Sequence, residues 1–386
     1  VPAVVPGEIS TESCHSIWDS SLITTFQSCG MEYVQLESSM IPKNKRNLLP
    51  LISHEQCKTI KILPVYLEAA PLPDEKNDVW LSRIIKLFPK KTAENEKLNI
   101  TIVFNFKQTA ELLKNKFFDF IDSVIAEEKT QVVFQTPQQY LKMAETYIPS
   151  YIPAGMSWEL AQWAIKPYTQ VENKSHFSLT IHDFINSYFQ SNELYGRMMY
   201  LSMMVNQVHG DKLRKEAARE LLWKAQFGQA YADSKEGIIT NAKCRQLAYR
   251  YLNETEKILR ECNEFTESIT SFDYNGDGLK EYVCQMNKFN AVISLKSGCI
   301  MELDVFKSLA NYADNLIRVE PFDKISDTYQ RHMFIEHFIE KEEKNSYVNE
   351  GKISTGIFSQ IQFEEKKFEP KRKEIHMEGS GEFSSI

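Results

Sequence analysis

Residues 18–36 read WDSSLITTFQSCGMEYVQL, and that one stretch sets the fold class of the amino-terminal part of the chain. Positions 21–29 follow a helical pattern, and Gly30 stands where a left-handed C′ residue ends a helix. Positions 31–36 then crowd β-branched and aromatic residues into a strand. The same alternation recurs downstream. Residues 99–104 predict a strand, 109–128 a helix and 131–134 a buried strand, and Thr136-Pro137 opens a further helix at N-cap and N1. This rhythm predicts a parallel sheet or a (β/α) barrel. Residues 71–97, with prolines and many charges, read as a surface excursion.

From Tyr147 the texture changes. Two Ile-Pro steps in 147–153 break the chain, and 158–165, 180–190, 194–208, 212–230 and 241–262 follow as helices. From Phe265 short period-2 runs take over, at 282–286, 290–295, 300–303 and 356–363, separated by Gly and Asn turns. They predict an antiparallel β-sandwich. The expected organisation is multidomain α/β plus all-α plus all-β. Residues 1–146 form the later part of a (β/α) barrel, 147–264 a helical domain, and 265–386 an incomplete β-sandwich.

The 386 residues carry 45 basic and 52 acidic side chains, a formal charge of −7. With a pI near 5.8 the chain lacks the basic face that phosphate contacts need, so no nucleic-acid partner is expected. No apolar run approaches the ~18 residues of a membrane helix, and the first residues lack a signal-peptide layout. Seven cysteines are spread thinly with no C-x-x-C pair, which fits a reducing, cytoplasmic setting better than a disulfide framework. The chain opens on Val1 and closes on a strand-like GEFSSI, as a piece of a longer protein would. A tag or processing scar is the alternative.

Three groups of residues could carry chemistry. Glu12, His15, Trp18 and Asp19 precede the first helix, where a carboxylate and an imidazole make plausible acid–base partners. A solvated loop whose Asp19 or Ser20 caps the helix is the plainer reading. The run from Asp273 to Glu281 puts oxygen ligands at Asp273, Asn275 and Asp277, with Gly278 at the sixth loop position. The twelfth position is Cys284, which excludes an EF-hand, yet Glu281 could close a looser calcium site. A bare Gly/Asn/Asp turn is the alternative. Finally, Trp158, Trp163, Trp223, Tyr195, Tyr200 and Tyr231 offer ring faces for sugars if exposed, and core mass if buried.

Four collinear stretches resemble glycoside hydrolase family 57, above all its 4-α-glucanotransferase and α-amylase members. Residues 18–36 are similar to the family's WxPELxxxLxxAGIEYxxxDD, and PAGMSWELAQWAIKP at 153–167 to its PxASYxEMxEWxLP. SNELYGRMMYLS and ARELLWKAQ resemble its ESNxMHKRMxxVS and ARxxLxKAQ helices. DYNGDGLKEYV, SGCIMELD, NYADNLIR and YQRHMFIEHFI resemble its carboxy-terminal D-x-DGDGxxEV, GGxxxELD, YNxxDTLxR and RRxxxxDHF.

The resemblance implies action on α-1,4-glucan or maltooligosaccharide without a cofactor for the chemistry, and a galactose mutarotase-like carboxy-terminal sandwich. It also exposes departures. His15 occupies the family's nucleophile position, three residues before Trp18, while Glu12 lies six before it. Where the family places its acid, after a strand, this chain reads Asn105-Phe106-Lys107-Gln108, with no carboxylate. KAQFGQAYADSKEG from Lys224 lacks the family's Asn-Asp and Trp-His pairs. A retaining glycosidase needs two carboxyls ~5–5.5 Å apart, so the chain is expected to be catalytically degenerate and at most glucan-binding. Trp18, Trp163 and Tyr231 are then the candidate sugar platforms. The alternatives are an active enzyme with Glu12 as nucleophile and Glu37 or Asp233 as acid, or a structural assembly subunit. A second copy or an active paralogue is the expected protein partner.

Overall fold

The computed structural model describes residues 17–46, 48–72, 74–89, 97–104, 106–126, 133–157, 180–186, 189–231, 242–262, 265–315, 331–336 and 361–380. The chain divides into two compact units, Val1–Ser187 and Tyr188–Ile386. The architecture mixes helices with several separate sheets, which makes it a multidomain α/β protein.

In the first unit, β1 (Ile17–Trp18) pairs antiparallel with β6 (Gly155–Met156). Helix α1 (Leu22–Ser28) ends as its sequence predicts: Gly30 takes φ +75°, its N–H bonds Gln27, and the Met31 N–H reaches Phe26. That is a Schellman closure, and it delivers the chain into β2 (Tyr33–Glu37). A hairpin follows that the sequence did not announce. Strands β3 (Leu51–Glu55) and β4 (Lys58–Val65) turn at Gln56 and Cys57, both with positive φ, as a two-residue type I′ turn requires. The resulting four-stranded sheet has order β2-β4-β3-β5, β5 being Ile148–Pro149. The β2–β4 and β3–β5 pairs are parallel, whereas β3–β4 is antiparallel, so this sheet is mixed.

Three local expectations are corrected. Residues 99–104 contribute a single parallel bridge, Thr101 to Val65, in place of a strand. Residues 109–128 hold two helices, α3 (Phe106–Lys114) and α4 (Phe117–Ala126), because Lys116 breaks the run at φ 51°. The excursion at 71–97 contains α2 (Asn77–Leu87), which buries Trp80, Leu81 and Ile84. Trp80 packs edge-on against Phe117 at 4.8 Å and donates its indole N–H to the Ala69 carbonyl, so this segment is core. The Thr136-Pro137 start of α5 (Pro137–Met143) is as expected: Thr136 and Gln139 close a capping box. Residues 131 and 132 of the expected strand lie outside the described residues, as do those of the helix at 158–165.

In the second unit, the long helices α7 (Phe189–Gln207), α8 (Lys212–Lys224) and α9 (Ala242–Cys262) pack together through Leu194, Leu201, Val205, Leu222, Ala248 and Leu252; the short α6 (Ile181–Asn186) closes the first unit. A five-stranded antiparallel sheet follows, formed by β7 (Ser268–Phe272), β8 (Glu281–Gln285), β9 (Phe289–Ser294), β10 (Ile300–Val305) and β11 (Ala310–Asn311). Its strands meander, each pairing with the next. Period-2 alternation gives the sheet two faces. Tyr282, Cys284 and Ala291 point to one, where Phe368, Ile375 and Met377 of the hairpin β12–β13 (Glu364–Glu369, Glu374–Glu378) cover them. Val283, Val292 and Met301 point to the other, together with Tyr200 of α7. Residues 356–360 of the last expected run lie outside the described residues, and 361–363 supply a lone bridge from Gln362 to Lys296.

Candidate metal loop and buried charge cluster

Glu12, His15, Trp163 and Asp233 lie outside the described residues, as does Asn105. Phe106 and Lys107 open helix α3. Trp18 is corrected by the structure. It is only 1% exposed, its indole N–H donates to the Ile152 carbonyl at 2.9 Å, and Ile23, Val34 and Leu36 pack in the same core. No ring face is open to a sugar. Tyr231 is half-buried against the helical core, its carbonyl accepts from the Ser191 hydroxyl, and burial holds its phenol well above the ordinary range. Glu37 is buried at the end of β2, where the Ser39 hydroxyl donates to it.

The loop between β7 and β8 is built from its own acids. Asp273 accepts three backbone N–H groups, from Gly276 at 2.7 Å, Asp277 at 3.1 Å and Gly278 at 3.0 Å. Gly276 and Gly278 take φ +76° and +87°, which bends the loop back upon Asp273. Asn275 Oδ1 accepts the Asp277 N–H at 3.0 Å, and Asp277 Oδ1 accepts from Leu279 at 2.8 Å. Glu281 starts β8 and points back under the loop, where its Oε2 accepts the Tyr274 N–H at 2.9 Å. Carboxylate oxygens of Asp273, Asp277 and Glu281 all lie within 4.8 Å of one another. Asp273 and Asp277 are exposed while Glu281 is buried, and burial, reinforced by the charges of Asp277 and Asp273, pushes the Glu281 carboxyl up to about 7. Oxygen donors of this kind suit a hard cation.

Beneath the loop lies a cluster that reading the sequence missed. Arg197 of α7 is fully buried and meets three carboxyls: Glu256 of α9 at 2.6 Å, and Glu302 and Asp304 of β10 at 3.0 Å each. Arg260 pairs with Glu256 at 2.7 Å and lies over the rings of Phe265 and Phe306. Asn253 bridges Arg197 and Asp304, and Asn290 donates to Glu256. Two guanidinium groups thus face three carboxyls. The imbalance is resolved at Glu302, whose carboxyl burial and the adjacent Asp304 hold well above the usual range. Glu256 is held below it, since Arg197 and Arg260 outweigh the cost of burial. The available signal was Glu302-Leu303-Asp304: acids two apart on a strand share a face, and here that face looks inward. Tyr274 joins the two features, its hydroxyl lying 3.3 Å from Glu302 and its ring 5.8 Å from that of Tyr200.

The fold so defined is that of a multidomain α/β protein. It is similar to the crystal structure of the 4-α-glucanotransferase from Thermococcus litoralis, with a TM-score of 0.72 at 18% sequence identity. The similarity covers 94% of this chain and 61% of that one, so the chain spans about three-fifths of that enzyme's length. No family model matches the chain, and no curated protein matches it significantly. No helix among the described residues is long and apolar enough to cross a membrane.

Proposed function

We propose that this chain is a catalytically degenerate, family 57-like protein that binds α-glucan or maltooligosaccharide. The observation that carries the reading is the fold similarity to a 4-α-glucanotransferase along 94% of the chain. Its complement is the sequence at the positions answering to the nucleophile and the acid, which are His15 and residues 105–107. Neither supplies the carboxyl pair that glycosyl transfer needs. In this reading the three-part division at 146/147 and 264/265 is retained, with a cytoplasmic setting. Trp163 and Tyr231 remain the sugar platforms, Trp18 having moved to the core. The test assays wild type beside Glu12→Gln on maltooligosaccharides and measures maltoheptaose binding by calorimetry. Saturable binding without turnover in either protein is the expected result. Turnover in wild type that disappears in Glu12→Gln overturns the degenerate reading and makes Glu12 the nucleophile.

A further inference from the structure

We infer that Asp273, Asn275, Asp277 and Glu281 form a calcium site that fastens the β7–β8 loop against helix α7. The acidic cluster alone would not establish this. Glu281 adds an independent observation: it is 0% exposed, and its Oε1 has no hydrogen-bond partner among the described residues. A buried carboxylate oxygen left without a donor is costly, and a cation is the partner that would satisfy it. No lysine or arginine among the described residues pairs with Asp273, Asp277 or Glu281. The donor set then chooses the metal. Carboxylate and amide oxygens exclude the soft ions, and a loop exposed on its Asp273 and Asp277 side leaves room for waters to complete the six to eight oxygens that calcium takes. Magnesium demands near-ideal octahedral geometry and dehydrates reluctantly, whereas calcium accepts an irregular set of carboxylate, amide and water oxygens.

The structure also says what the ion would do. Glu281 Oε2 holds the Tyr274 N–H, the Tyr274 carbonyl presses on Gly196 of α7, and the Tyr274 hydroxyl reaches Glu302. A cation bridging Asp273 and Asp277 to Glu281 would therefore fix Tyr274, and with it the contact between loop and helix. This inference is independent of glucan binding and is tested by metal alone. The full chain is stripped with chelator and titrated with terbium, reading luminescence sensitised by Tyr274, followed by displacement with calcium. A melting temperature is taken in calcium and in chelator. Saturable luminescence, its displacement by calcium, and a rise in melting temperature of roughly 5 °C at a hundredfold excess over Kd are expected. Glu281→Gln and the solvent-side Asp277→Asn should each weaken calcium at least tenfold. Because Asp277 is exposed, the second variant keeps the test valid if the first folds poorly. No calcium-dependent shift in wild type, or an equal response in folded Asp277→Asn, overturns the site.

Discussion

The carbonyl oxygen of Tyr274 lies 2.7 Å from the point where a side-chain carbon on Gly196 would stand, and the Asn275 Cα lies 3.2 Å from it. Both obstacles are backbone, so neither can swing aside as a side chain would. Gly196 sits inside α7, where glycine ordinarily costs ~1 kcal/mol against alanine. The close approach of the loop explains why that cost is borne. Gly196→Ala should lose ~1–3 kcal/mol of stability by overpacking, despite its better helix propensity. Chemical denaturation measures it, and a variant more stable than wild type would show that the loop yields freely.

Trp18 is expected to act through packing. Trp18→Ala removes a fully buried indole and its bond to Ile152, which should cost ~3–5 kcal/mol. Trp18→Phe should cost less and leave the maltooligosaccharide affinity of the folded protein unchanged. A selective loss of that affinity, at intact melting temperature, would return Trp18 to the sugar site.

Arg197 holds three buried carboxyls, so its removal leaves uncompensated charge in the interior. Arg197→Met should destabilise by ~3–5 kcal/mol. The double change of Arg197→Met with Asp304→Asn should recover part of that loss, because one stranded charge goes with the arginine while Glu256 keeps its pair with Arg260. Equal melting temperatures for the single and double variants would mean that packing, and not charge, is what Arg197 contributes.

Some of this structure was legible and some was not, for physical reasons. Gly30, Thr136-Pro137 and the alternation of 282–303 act locally, through a left-handed cap, a capping box and a pleat, and the structure follows them. The β3–β4 hairpin was hidden because Gln56 and Cys57 adopt a turn conformation normally signalled by Asn-Gly. The α2 helix was hidden because its charges mask the face of Trp80, Leu81 and Ile84. Trp18 shows that an aromatic residue's type says nothing of whether its faces are open. The Arg197 cluster depends on α7, α9 and β10 meeting, and no spacing along one chain segment encodes that. The grouping of Asp273, Asn275, Asp277 and Glu281 was legible because all four fall within nine residues, although the absence of a donor to Glu281 Oε1 among the described residues was not.

The Glu302 carboxyl is held well above the ordinary range by burial and by Asp304, so just above the ordinary carboxylate range the folded state holds a proton that the unfolded chain has released. The groups facing it are Arg197, Asp304, Glu256 and the Tyr274 hydroxyl. For a group raised on folding, the native state binds more protons than the unfolded state, so stability falls as pH rises above the ordinary carboxylate range. Glu302→Gln keeps the shape and neutrality of the protonated acid and removes that titration. The variant should lie near wild type at pH 5 and be the more stable of the two at pH 8, by ~1.4 kcal/mol for each pH unit over which only the folded state is protonated. Urea melts of both proteins at the two pH values measure the difference. A gap that narrows or reverses as pH rises would place the proton elsewhere in the cluster and leave Glu302 ionised beside Arg197.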